Sequence, residues 1–498
     1  MEGLISWLSS RRDDEICGEM TKEDEVKDLF ELPEELLEVI LSRLSVKDLV
    51  SCSKVSKMWR IGVNLNSIWK NICRNEGYSD KLINTTPPHL FIDQPKEDSE
   101  EKKIDCDLEP LCYWRRVFGR FKELARNWQD KKFQRFRLSE GSSPVHCLDS
   151  DGVTAVTGHE DSTISVWSVL SVPHLKQKIK AVLSGYPITS VKTTTRYVIA
   201  VQKKLLLVYT KENENYKLTD IKSFELGEDN IEQMEKLKAL GMEYSSWYKE
   251  TMRINEDHTA LTIRPLLYAI VDDHLYASCC GTGIVRMWTL PGSEFVSCKA
   301  GLSEIQQIET DGTSLFLVVH TEITHLLKYS KEDDAVKMLL SVPGLKRFVI
   351  GEKLVMAFPL PGDICLKRLW VWKKDDYSQP VGTKTIGSSH FSAILVQSVY
   401  IIYSEDSMIH VWNPVQNTIL ISFSVGSVVG FIREGFGFTL VVFMTSSLHL
   451  WDWKSGKRLY RFYTGLEWTG NYKNLVWVNC SMLLSAGVHN QLEMLSFW

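Results

Sequence analysis

Residue types that could carry chemistry are present in this sequence, but not at the spacings that chemistry needs. Its 12 histidines include no H-E-x-x-H or comparable pair, the spacing that sets two imidazoles on one helix face around a metal. The 11 cysteines are odd in number and scattered, with Cys279 and Cys280 adjacent and no C-x-x-C pair. Neither a disulfide framework nor a zinc site fits, and buried, reduced thiols are expected. Gly281-Thr282-Gly283 lacks the rest of a dinucleotide fingerprint and reads as a hairpin turn. Ser455-Gly456-Lys457-Arg458 lacks the upstream glycine and terminal Ser/Thr of a phosphate-binding loop. Gly-x-Ser-x-Gly is absent. The expectation is a chain with no cofactor, no metal and no catalytic residue of its own, whose work is binding.

Composition narrows what it binds. A formal net charge of -5 supplies no concentrated basic face for nucleic acid. Long apolar runs are absent, and a stretch such as Leu440 to Met444 falls far short of the roughly 20 residues of a spanning helix, so no membrane role is expected. Near the start, the apolar patch Leu4, Ile5, Trp7 and Leu8 precedes its charges, Arg11, Arg12, Asp13 and Asp14, the reverse of a secretory signal. A cytoplasmic or nuclear location follows as an expectation. At 498 residues, with 44% apolar and 24% charged side chains, the chain has material for two or three globular domains.

Those domains differ in hydrophobic period. Pro33 stands where a helix can begin, and Leu36, Leu37, Ile40, Leu41 and Leu44 follow at helical spacing to build one apolar face. Ser45 and Asp48 form a capping-box pair for a second short helix. Val55, Met58, Trp59 and Val63 make a third stripe; Asn66 caps a fourth helix carrying Ile68, Trp69 and Ile72, with Gly77 as its stop. So small a unit cannot bury so many large apolar groups internally, and part of that surface belongs to a partner. From about Pro87 to Pro110 the sequence turns acidic and aperiodic, as in a solvated linker. Trp114, Val117, Phe118, Phe121, Leu124, Ala125 and Trp128 then restore a helical period.

From about Phe133 onward the period is two, as in Ile164-Ser165-Val166-Trp167 and Met408-Ile409-His410-Val411-Trp412, which read as half-buried strands. The strands recur in units that end on an aromatic anchor: Trp167, Tyr209, Trp288, Tyr329, Trp372, Trp412, Trp451 and Phe497. Their spacings are 42, 79, 41, 43, 40, 39 and 46 residues, against about 40 to 45 for a four-stranded propeller blade. The long step holds a segment from about Asn213 to His258, where Ile231, Met234, Leu237 and Leu240 have a helical look; it reads as an insertion rather than a ninth unit. The last unit leaves no room for an outer strand, and Phe133 to Leu138 supplies one from the other end, closing the ring.

Residues 30 to 70 resemble an F-box, through Leu32-Pro33-Glu34-Glu35-Leu36-Leu37, Ile40-Leu41, Leu44, Lys47-Asp48-Leu49, Val55-Ser56, Trp59-Arg60 and Ile68-Trp69. The stretch from Arg126-Asn127-Trp128 through Gly158-His159 to Val166-Trp167 is similar to the junction in F-box/WD-repeat proteins. The Trp-Asp dipeptide stands only at Trp451-Asp452, so the repeats are degenerate. The resemblance implies a multidomain chain, an all-α F-box and helical linker followed by an all-β WD40-like propeller of eight blades, with seven as the alternative. Its expected divisions are a flexible N-terminus (1-27), F-box (28-78), acidic linker (79-112), helical stalk (113-131) and propeller (132-498) with a helical insertion at about 213-258.

By the same resemblance the F-box binds a Skp1-like adaptor, and through it cullin and RING subunits, while the propeller holds a protein substrate for ubiquitination. A scaffold that binds the adaptor without promoting transfer is the alternative. Leu32, Pro33, Leu36, Leu37, Ile40, Leu44, Leu49, Val55 and Trp59 stand where the family makes adaptor contacts or the core supporting them. Relatives hold phosphorylated segments with rim arginines, whose planar fork suits phosphate. Here the corresponding early positions read as His146, Ile188, Leu267, Lys346, Phe391 and Gly430, and the later ones as Glu160, Gly281 and Glu405. Only His146, Lys346 and Arg347 suit an anion. Changing Leu32 and Pro33 together to alanine is expected to abolish adaptor co-purification while the propeller stays folded; unchanged recovery would count against the F-box reading.

Overall fold

A computed structural model describes residues 33–76, 78, 111–139, 143–170, 172–203, 205–223, 266–271, 273–279, 284–290 and 295–299 of the first three-fifths of the chain. Beyond these it describes 305–311, 313–320, 323–330, 335–343, 347–358, 367–388, 391–396, 399–444, 447–463, 476–486 and 491–497. The described residues fall into two compact units, 33–76 with 111–118, and 78 with 119–497.

The first unit is helical. Helix α1 (Glu34–Leu41) starts directly after Pro33. Helix α2 (Val46–Cys52) carries the expected capping box, with Asp48 N donating to Ser45 Oγ and Ser45 N to the Asp48 carboxylate, each at 3.3 Å. Helix α3 (Lys57–Gly62) is capped by Ser56, whose hydroxyl accepts from Trp59 N at 3.2 Å. Helix α4 (Asn66–Asn75) departs from expectation. Asn66 is its first helical residue and does not cap it, because the Asn66 carboxamide oxygen is engaged by Trp114 N at 3.3 Å. Gly77 lies outside the described residues. The start of helix α5 (Tyr113–Asp130) completes this core: Trp69 packs on Phe118 at 5.4 Å between ring centroids, and the Arg115 guanidinium lies over the Trp69 ring at 5.1 Å.

The second unit is a β-propeller of eight four-stranded antiparallel sheets. In chain order they cover 145–180, 188–223, 266–299, 305–342, 347–386, 391–424 and 429–463, and the eighth combines 476–496 with 134–139. First strands of neighbouring blades lie against each other, so the first strand is innermost and the fourth outermost. Of the two stretches expected to be half-buried strands, Met408–Trp412 does alternate, with Met408 and His410 partly exposed, whereas Ile164–Trp167 is buried at every position. Second strands such as Thr154–His159, Tyr197–Gln202 and Thr439–Met444 are buried at every position, because each blade is sandwiched between two others. The apolar cores accordingly lie between blades. Val156, Ile164 and Val166 pack with Ile188, Val198 and Leu207 across the first pair, and Leu148, Ala155 and Trp167 pack with Met482, Leu484 and Leu492 where the last blade meets the first. All eight aromatic anchors are buried.

Closure is the expected one. Strand Gln134–Ser139 pairs with Gln491–Ser496 through all six residues. Both carboxylate oxygens of Glu493 accept from Arg135, at 2.7 and 2.8 Å. Where α5 ends, the Trp128 ring stacks on Phe497 at 3.7 Å, its indole N–H donates to Cys480 O at 2.7 Å, and Asn127 donates to Phe497 O at 2.9 Å. The retained Gly158-His159 is also structural. His159 is buried, with Nε2 3.0 Å from Thr157 Oγ1, which accepts from the anchor Trp167 at 3.2 Å. A Cβ at Gly158 would meet Ile188 Cγ2 at 2.5 Å and Cys147 Sγ at 2.6 Å, so only glycine lets the first two blades approach this closely.

The reading of a helical insertion from about 213 needs correction at its start. Asn215–Ser223 is the outer strand of the second blade, paired along Leu205–Glu212. Tyr216 and Ile221 are buried in the core shared with the first blade and Lys222 is buried beside Asp220, while the register shift between them breaks the alternation, which is why no strand period stands out in the sequence. The remainder, 224–265, lies outside the described residues, as does the acidic stretch 79–110.

In the seventh blade, His449 is buried with its Nε2 2.8 Å from Ser447 Oγ. Burial, aided by Arg461 and Arg458, holds its pKa down to about 4 from an ordinary 6.5. Above about pH 6.5 the ring is neutral both folded and unfolded and has no effect on stability. As pH falls from there towards 4 the unfolded chain takes up the proton first, so stability must fall through that window. His449→Gln is expected to flatten this acid limb in urea midpoints measured from pH 7 to pH 4.5. A variant that loses as much stability as the parent would exonerate the histidine.

Candidate protein-docking surfaces

The helical unit sorts its leucines into two faces rather than the single face its spacing suggests. Leu37 and Leu41, four residues apart on α1, point into a core with Leu49, Val63, Ile68, Trp69 and Cys73. Burial pushes the Cys73 thiol up to about 12, as expected of a reduced, unreactive sulfur. Leu36 and Ile40, again four apart, are 52% and 41% exposed. Of the sequence-derived contact set, Pro33, Leu36, Ile40 and Val55 are thus at the surface and Leu44 and Trp59 are half-buried. Leu37 and Leu49 are buried, and Leu32 lies outside the described residues.

Val39, Met58 and Ile61 are also exposed, at 55%, 54% and 40%, and were not in that set. The signal was present: Leu36 to Val39 and Met58 to Ile61 are both three-residue steps, the spacing of a shared helix face. With Val55 at 69%, six large apolar side chains stand in water on residues 36 to 61. Covering the exposed part of each, about half, contributes roughly 1 kcal/mol, and large apolar groups left in water on a folded unit are the mark of a protein-docking surface.

In the propeller, the inner strands begin with a register shift in the first, second, fourth and seventh blades, beside His146, Thr189, Gln306 and Gly430. A bulge turns its extra residue out of the ladder. His146 and Gly430 were anticipated there. In the second blade the outward position is Thr189 rather than Ile188, which is fully buried between blades. The fourth blade's Gln306 was missed because its unit has no glycine or aromatic signal at that point. Glu405 is already engaged, accepting from Gly387 N at 2.8 Å in the connection from the fifth blade and lying 3.6 Å from His410 Nε2 in its own blade. Lys346 and Gly281 lie outside the described residues.

Arg347 is half-buried with its guanidinium 6.0 Å over the Phe358 ring. It lies close to an arginine the sequence reading overlooked. Arg433, further along the inner strand of the seventh blade, has its pKa lowered by burial and by the charge of Arg347. Other polar groups of the inner strands tie blade to blade: Asp149 accepts from Thr193 N (2.8 Å), Gln307 from Phe348 N (3.1 Å) and Ser392 from Ile432 N (3.4 Å). These are structural. Among the described residues no group of three or more His, Cys, Asp or Glu side chains is placed to hold a metal ion, and no helix is long and apolar enough to cross a membrane.

Comparison with known proteins agrees with this geometry. An F-box-like family model matches residues 29–75. The chain is 25% identical over 143 residues to F-box/WD repeat-containing protein 7 of Drosophila melanogaster, and 28% identical over 144 residues to Cell division control protein 4 of Candida albicans. Each match covers 28% of this chain, but only 10% and 20% of those relatives. The crystal structure of Saccharomyces cerevisiae Sqt1 superimposes with a TM-score of 0.51 at 9% identity, over 72% of this chain and 97% of that one, a likeness of fold alone. An F-box-like helical unit followed by an eight-bladed propeller is the architecture of F-box/WD-repeat proteins, and this chain has it.

The two faces of α1 should separate under mutation. Leu41→Ala is expected to cost about 2–5 kcal/mol of the helical unit's stability and Leu36→Ala less than about 0.5 kcal/mol, read by chemical denaturation with Trp69 fluorescence. Equal losses at both positions would mean that Leu36 is core.

Proposed function

We propose that this chain is the substrate-recognition subunit of an SCF-type ubiquitin ligase, binding a Skp1-like adaptor through its F-box-like helices and a protein substrate through its propeller. The observation that carries the reading is the exposed apolar set Leu36, Val39, Ile40, Val55, Met58 and Ile61, on helices whose own core is already filled by Leu37, Leu41, Leu49 and Trp69. A closed core with greasy residues left over is what a helix-face docking site requires. In this reading the chain contributes no catalytic group. Cullin and RING subunits arrive through the adaptor, and transfer is promoted by holding substrate lysines near loaded ubiquitin, an effective-concentration effect. Neither nucleic acid nor membrane is involved, and the assembly works in the cytoplasm or nucleus.

On the propeller the substrate meets the ring of inner-strand starts, where His146, Lys346 and Arg347 are the candidates for an anionic group and the other early positions are uncharged. Leu36→Asp combined with Ile40→Asp puts two charges where an apolar contact must form. Tagged full-length protein is expected to co-purify adaptor, cullin and RING subunits, and the double variant to lose all three while its propeller melts as before. Recovery of adaptor alone by the parent protein would replace the ligase reading with an adaptor-binding scaffold. Undiminished recovery by the variant would remove this surface from the interface.

A further inference from the structure

Positive charge on the propeller's rim is gathered on three consecutive blades. The outer strands of the seventh, eighth and first are Lys457–Tyr463, with a lysine and two arginines, Gln134–Ser139, with two arginines, and His174–Lys180, with three lysines. The three form one surface. Phe133, just before the eighth blade's outer strand, meets Tyr460 edge-on at 5.2 Å between ring centroids, and Phe136 packs against the same apolar core as Leu175. Elsewhere the rim is sparse. The outer strands of the third, fourth and fifth blades carry one lysine each and that of the sixth none. Both lysines of the second blade's outer strand are paired, Lys217 with Glu212 and the buried Lys222 with Asp220.

Part of the crescent's charge is also answered within the chain. Glu493 engages Arg135 and Arg137, Asp130 engages Lys132, and Glu214 engages Lys176. Lys131, Lys178, Lys180, Lys457 and Arg458 are exposed, and none of them makes an ion pair with another described residue.

We propose that this crescent is a second docking surface of the propeller, for an acidic, extended stretch of a protein partner. Charge selects the chemistry, since five cations without carboxylates of their own are complementary to a segment that brings several. Shape and neighbours select a protein segment over other polyanions. The outer side of a ring is convex, so a flat bilayer or a straight duplex touches it along one blade at a time, while an extended chain follows the curve. A nucleic-acid single strand is held by bases stacked on open aromatic faces. The rings here are already engaged, Phe133 with Tyr460 and Phe136 against the core. The chain's net charge is -5 in spite of these cations, so a polyanion running on past the crescent is repelled, and a short acidic stretch is not. The surface lies on the outermost strands, apart from the inner-strand starts, and needs only the propeller. Its test is therefore separate from that of the F-box reading.

The probe is a fluorescein-labelled peptide of about twelve alternating Glu and Ser residues, roughly 40 Å when extended, titrated with the full-length protein and read by anisotropy. Saturable binding is expected at low salt, weakening as salt is raised. Lys178→Glu with Lys180→Glu, and Lys457→Glu with Arg458→Glu, are each expected to raise the dissociation constant about tenfold, the order set by losing two exposed charge pairs. Lys337→Glu with Lys384→Glu, on the outer strands of the fourth and fifth blades, makes the same change in net charge and should leave binding unchanged. Thermal melts confirm that all variants fold. A parent protein that does not bind the peptide, or equal weakening by the control pair, overturns the proposal. So does tighter binding of a single-stranded oligouridylate of equal charge, or of phosphatidylserine vesicles, with the same dependence on the crescent pairs. The surface would then belong to a nucleic acid or a membrane.

Discussion

Burial of each blade's second strand on both faces is the constraint on which the propeller depends. Thr154–His159, Tyr197–Gln202 and Thr439–Met444 have no side that can face water, so a blade is stable only with a neighbour on either side. A row of such sheets has two unsatisfied ends, and joining them into a ring removes both. The eighth blade makes that join by combining strands from the two extremes of the fold, with Glu493 gripping Arg135 and Trp128 lying flat on Phe497. Loss of Trp-Asp repeats elsewhere matters little to this arrangement. What each blade needs is one large ring of low polarity at its anchor, and tyrosine at 209 and 329 or phenylalanine at 497 fills that place.

The helical unit works under the opposite condition. With a core of so few residues it seals one face, around Trp69, and leaves another open. Trp69 Nε1 donates to Val63 O at 2.7 Å, and Asn64 accepts from Cys112 N at 3.0 Å, so these polar groups beside the core are satisfied locally. The apolar residues left outside are therefore not a packing failure but surplus, held in place by a well-formed interior.

Much of this was legible in the sequence because it rests on periodicity. Aromatic anchors recurring every 39 to 46 residues, apart from the one step of 79, identify the blades, and the alternation in Arg135, Phe136, Arg137 and Leu138 identifies the strand that closes the ring. Periodicity was less informative where two faces are apolar at once. On α1, Leu36, Leu37, Ile40 and Leu41 satisfy helical spacing for either face, and only three-dimensional packing decides that 37 and 41 turn inward. The outer strand Asn215–Ser223 was lost for a different reason, since its register shift puts the buried Tyr216 and Ile221 five residues apart and breaks the rhythm of two. Thr189 and Gln306 needed the register shifts, which depend on pairing between strands and leave no local mark.

The sharing of one blade between residues 134–139 and 476–496 orders events during synthesis. The ribosome delivers the closing strand long before its partner Gln491–Ser496 exists, so Gln134–Ser139 and the ring of Trp128 must wait through more than three hundred codons. Helices α1 to α4 need nothing from that distant segment, and a partner can meet them while the propeller is still incomplete. Nascent chains carrying a premature stop before residue 476 would then combine competent helices with a ring that cannot shut, a product for quality control to remove.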